Sequence, residues 1–122
     1  MDFFRFLGEN IVLFDGAMGT EIQKLEITEE LWGGFPGCNE MLNLSAQELI
    51  AGIYRAYLEA GADVIETNTF GANRIVLSEY SIEDKTEEIN RAAAQLAVRE
   101  RERIQSLHNG EKGGKTSRPR FV

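Results

Sequence analysis

The chain has 122 residues, 43% hydrophobic and 27% charged, a composition that suits one globular domain and excludes a wholly disordered chain. Thirteen Lys and Arg against 20 Asp and Glu leave a formal net charge of -7, which argues against the clustered basic surface of a nucleic-acid binder. The lone Cys38 excludes an internal disulfide, the N-terminus has no apolar leader with a cleavage site, and no apolar run approaches the roughly 18 to 20 residues of a membrane span. The expectation is a cytoplasmic protein with a small-molecule partner, and neither nucleic acid nor membrane as a target.

In chain order, Phe3, Phe4, Phe6 and Leu7 are spaced as one or two turns of an amphipathic helix, which residues 8–10 break. Residues 11–14 are a short β-branched and apolar run, the pattern of a first strand buried on both faces. Residues 21–25 read as a short helix, and Gly33, Gly34, Pro36 and Gly37 mark an irregular loop over a packing Trp32. Ser45 and Glu48 match a capping box, in which each side chain satisfies a backbone donor at a helix start. The helix they open carries the stripe Ile50, Ile53, Tyr54 and Tyr57, and Gly61 supplies its left-handed stop.

Residues 62–67 predict a second strand beginning near Asp63. Alternation puts Val64, Glu66 and Asn68 on one face and Ile65, Thr67 and Thr69 on the other. A short helix over residues 74–80 and a longer one over residues 83–107 follow. Ala92, Ala93, Leu96 and Ala97 offer a small-residue face to a sheet, and the sign-alternating run 99–103 reads as a solvated face. Residues 108–120 form a polar loop before Phe121 and Val122, which start another buried strand. This rhythm predicts an α/β fold, either a βα barrel or a doubly wound sheet, with about two βα units and the start of a third strand within residues 1–122. A closed barrel takes about 250 residues, so both sheet edges would stay open and the isolated chain would be prone to aggregate.

Two polar motifs, Asp15-Gly16-Ala17-Met18-Gly19-Thr20 and Glu66-Thr67-Asn68-Thr69-Phe70-Gly71, directly follow the predicted strands. In a parallel arrangement both would lie at the edge where such folds build their sites. The first joins a carboxylate to a two-glycine turn whose successive N–H groups can cradle an anion. That combination suits an α-amino acid, with Asp15 taking the ammonium and the amides near Ala17 and Met18 the carboxylate. The plainer alternative is a tight turn capped by Asp15. In the second motif Glu66 and Asn68 are costly to bury without partners, or else form a strand end in which Asn68 and Thr69 satisfy nearby backbone. Cys38 and His108, in separate loops, fall short of the three protein ligands of a catalytic zinc. No nucleophile triad, phosphate loop or dinucleotide fingerprint is present.

With those segments in hand, the chain resembles the N-terminal part of the homocysteine-binding barrel of the homocysteine S-methyltransferase family. The resemblance rests on residues 11–20, on Gly37-Cys38-Asn39-Glu40, on residues 57–71 and on Glu88-Ile89-Asn90, and it leans toward the cobalamin-dependent members. It implies a partial (β/α)8 barrel that holds homocysteine through Asp15, Gly16, Ala17 and Met18, with Glu66 and Asn68 beside them. It also implies zinc held by cysteines of later strands, which Cys38 does not match, and methylcobalamin replenished from methyltetrahydrofolate on other domains. On that reading the chain is a fragment, inactive alone, whose partners are the rest of the barrel and the folate and cobalamin domains. Two alternatives stay open: a betaine- or S-methylmethionine-dependent relative, and a non-catalytic module completed by a partner chain.

Overall fold

Asp2 opens the first helix by accepting the Phe4 N–H, and the structure, a computed structural model, describes residues 2–110 and 118–122. The described helices are α1 (Phe3–Glu9), α2 (Gly19–Gln23), α3 (Leu42–Ser45), α4 (Gln47–Ala60), α5 (Arg74–Ser78) and α6 (Thr86–Gly110), with single 3₁₀ turns leading into α3 and α6. Among the described residues no helix is long and apolar enough to cross a membrane.

Helix α4 ends as its sequence predicts. Gly61 takes φ 111°, its N–H reaches Leu58 O at 3.1 Å, and the Ala62 N–H reaches Tyr57 O at 3.1 Å. These bonds satisfy carbonyls that the helix end would otherwise leave orphaned. The stripe of α4 is buried through Ile50, Ile53 and Tyr54, and Leu58 joins it, while Tyr57 is only partly covered. Against it lies α6, whose Leu96 and Ala97 are buried in the same core with Leu42, Ile65 and Ile104, and whose Ala93 is buried as well. The small-residue face of α6 thus serves α3 and α4 rather than a sheet. A second cluster gathers Cys38, Met41, Ala72, Leu77, Ile82 and Ile89 around α5.

Arginines tie α4 to α6. Glu100, buried on α6, is held by Arg55 through two contacts of 3.2 Å and by Arg103 at 3.0 Å. Burial opposes its charge, but the hydrogen bonds from Arg55 and Arg103 outweigh it and hold the carboxyl below its ordinary value. The run 99–103, read as a solvated face, therefore contains a buried ionic anchor.

The expected α/β partial barrel is not what the chain adopts: among the described residues there is no strand and no sheet. Three extended segments meet only through two isolated parallel bridges, Phe14 with Val64 and Val64 with Phe121. A strand needs a repeating ladder, and here the ladder stops after one step. Leu13 O accepts from both Asp63 N (2.8 Å) and Val64 N (3.1 Å), and one residue past the bridge the Asp15 side chain, not a backbone carbonyl, takes the Glu66 N–H at 2.9 Å. Ile11 and Leu13, expected to be buried on both faces, are 86% and 58% exposed. Alternation also fails at residues 66–68, where Glu66 is exposed and Asn68 buried.

Two further expectations are corrected. Ser45 ends α3 instead of capping α4: its hydroxyl donates to Leu31 O at 2.6 Å, and Ala46 stands at the N-cap without a side-chain bond. Residues 108–110 continue α6, so His108 is helical, not in a loop; of the expected loop 108–120, residues 111–117 lie outside the described residues. Beyond them Arg118 forms a two-point ion pair with the buried Asp63 and donates to Ile11 O at 2.7 Å.

Candidate functional site

The two polar motifs line a single cavity of about 480 Å³, with residues 15–18 on one wall and residues 66–70 on the other. All six singled-out residues, Asp15, Gly16, Ala17, Met18, Glu66 and Asn68, are in that lining. A larger concavity of about 650 Å³ adjoins it, walled by Phe3, Phe14, Val64 and Phe121 and sharing Glu66, Thr67, Thr69 and Phe70 with it. Only the smaller cavity brings residues of both motifs together.

Asp15 joins the two walls. Its N–H donates to Val64 O at 2.9 Å, and its Oδ2 accepts the Glu66 N–H at 2.9 Å. Oδ1 has no hydrogen bond among the described residues, and no cation among them pairs with Asp15 or Glu66. Partial burial raises the Asp15 carboxyl above its ordinary value, the Glu66 N–H pulls it down, and the Glu66 carboxylate pushes it up again. Two carboxylates without a counterion make the cavity a place where an incoming cation gains energy.

In the first wall neither Gly16 nor Gly19 has positive φ. At Gly16 a Cβ would lie 2.8 Å from the Tyr57 hydroxyl and 3.1 Å from its ring, so a side chain there would force the tyrosine or the turn to shift. The turn lies against Tyr57, whose hydroxyl donates to Ala17 O at 2.7 Å. Past it, the N–H groups of Gly16, Ala17 and Met18 have no acceptor among the described residues. A run of free amide donors beside a carboxylate can take an anion.

The second wall is held from behind by residues that sequence reasoning left without a role. Asn68 donates through Nδ2 to Asn39 O at 2.8 Å, and its N–H reaches the Tyr54 hydroxyl at 2.8 Å. Asn43 donates to Asn68 O at 2.8 Å and to Glu40 O at 2.9 Å, leaving its own buried Oδ1 without a partner. Glu40 accepts the Gly71 N–H at 2.9 Å, and a Cβ on Gly71 would lie 2.8 Å from the same oxygen. Burial raises Tyr54 to about 12, so its hydroxyl stays protonated. The only sign of this support in the sequence was the segment Gly37-Cys38-Asn39-Glu40; its partners lie about 30 residues away.

Cys38 is buried in the cluster under α5, near Glu40 (Sγ to Oε2 3.9 Å), and burial pushes its thiol up, toward an unreactive form. Among the described residues no three His, Cys, Asp or Glu side chains could together hold a metal ion. The described residues do not fit a zinc centre.

The cavity sets a carboxylate that no described cation meets beside amides with no acceptor among the described residues. A family profile described as homocysteine S-methyltransferase matches residues 12–122, and the chain belongs to that family. It is 41% identical over 98 residues to methionine synthase of Mycobacterium leprae and 39% identical over the same length to methionine synthase of Mycobacterium tuberculosis. Each match covers 80% of this chain, which spans only 8% of the length of either relative.

Proposed function

We propose that the cavity between residues 15–18 and 66–70 grips the charged end of homocysteine, in a protein of the methionine synthase type. Asp15 takes the ammonium, with Glu66 adding to the negative field, and the N–H groups of Gly16, Ala17 and Met18 take the carboxylate. Asn68 holds the opposite wall at its spacing. The single observation that carries this reading is the convergence of an uncompensated carboxylate and free amides in one cavity, on a chain of this family.

The reaction would be transfer of a methyl group to the homocysteine sulfur. Zinc, cobalamin and a methyltetrahydrofolate source, which the resemblance implies for that transfer, would be held by residues other than those lining this cavity. The cavity then acts as the clamp for the amino-acid end. Both named relatives are methionine synthases, which favours this over the betaine- and S-methylmethionine-dependent alternatives.

Titration of L-homocysteine into the chain, followed by calorimetry or amide shifts, tests the clamp. Asp15→Asn should weaken binding by roughly 1.5 to 3 kcal/mol, the worth of a hydrogen bond to a charged group, about ten- to 150-fold in dissociation constant. Equal affinity in the variant would remove Asp15 from the site.

A further inference from the structure

We propose that Tyr54 and Tyr57, on one face of α4, are positioning residues that set the width of the cavity by each holding one wall. This rests on the homocysteine reading of that cavity. Residues three apart on a helix project on the same side, and here their hydroxyls diverge to different loops. The Tyr57 hydroxyl donates to Ala17 O at 2.7 Å on the first wall. The Tyr54 hydroxyl accepts the Asn68 N–H at 2.8 Å on the second.

Neither contact is interchangeable with general packing. Gly16 lies so close to the Tyr57 ring that no Cβ fits without a shift, so the ring sets where that turn rests. Tyr54 is fully buried, so its hydroxyl reaches Asn68 from a fixed root in the core. Between them in sequence, Arg55 binds Glu100 of α6 and pins the helix that carries both. One rigid helix thus fixes the two walls, which among the described residues have only Asp15 joining them directly across the cavity. Loss of a tyrosine hydroxyl would let its wall drift and misalign the ammonium and carboxylate subsites, leaving both binding groups in place.

The test is L-homocysteine titration of the full chain and of Tyr54→Phe, Tyr57→Phe and the double variant, reading the Ala17 and Asn68 amide shifts well below each unfolding midpoint. Tyr57→Phe should weaken binding roughly three- to ten-fold, and the double variant more, the scale of one and two hydrogen bonds. L-2-Aminobutyrate, which keeps the charged head and lacks the sulfur, should lose affinity by the same factor. Should Tyr54→Phe fail to fold, the partly exposed Tyr57 carries the test alone. A merely structural role would shift the midpoint and leave the dissociation constant unchanged. A folded Tyr57→Phe that binds as tightly as the parent overturns the positioning role and leaves the cavity reading standing. A parent chain that binds no homocysteine overturns both.

Discussion

Asp15 and Asp63 sit at opposite ends of the same pair of extended segments and have opposite electrostatic fates. Asp63 is fully buried, met by Arg118 at two points, by the Leu13 N–H at 2.9 Å and by Arg120 at 3.6 Å. The Arg118 hydrogen bonds, against the cost of burial, hold its carboxyl below the ordinary value. Asp15 has one backbone N–H and no cation among the described residues, and burial with the Glu66 charge raises it. A carboxylate saturated by protein cations fastens the fold, whereas one left unsaturated at a cavity wall is free to answer a ligand.

The sharpest way to break the comparison is to remove the charge at each end. Asp63→Asn should destabilise the chain by about 3 kcal/mol, because it leaves two arginines facing a buried neutral group; urea unfolding midpoints measure it. Retained stability would reduce that ion pair to a surface ornament. A second and smaller effect lies in pH. Asp63 and Glu100 have lowered values in the folded chain, so their contribution is present above the unfolded carboxylate range near 4 and lost as pH falls through their folded values. Asp15 has the opposite sign: its folded value is raised, so its protonation on acidification adds stability before the other two are titrated. Unfolding midpoints across about pH 3 to 7 should therefore pass through a shallow acid-side maximum, which Asp15→Asn abolishes. The smallest effect is Asp15→Asn itself at neutral pH, neutral to stabilising by up to about 0.5 kcal/mol, since the amide oxygen can still accept the Glu66 N–H. A clear loss of stability there would make Asp15 a structural residue like Asp63.

Particular residues show how far local pattern carried. The stripe on α4, its stop at Gly61 and the length of α6 follow from spacing and one glycine, and the structure has them. The motif segments were legible as polar runs after apolar ones, and family membership followed from their order along the chain. The strands failed because an apolar run of four residues states a propensity and not a partner. Pairing requires a ladder, and an Asp15 side chain interrupts it. Ser45 failed similarly: a capping box competes with any carbonyl that tertiary packing brings within reach, and Leu31 O arrived first.

By itself the sequence determined what depends on neighbours a few residues apart: the two long helices, where α4 ends, most of the buried stripe of α4, and the family. Only the tertiary structure decided what depends on groups 14 to 55 residues apart, among them the Asp63–Arg118 pair, the tyrosines behind each cavity wall, the Asn39 and Glu40 contacts, and the lack of a described cation at Asp15. The reason is physical. Helical hydrogen bonds span four residues and leave a period in the chain, whereas a long-range contact exists only after the segments between have found their places, and leaves no period to read.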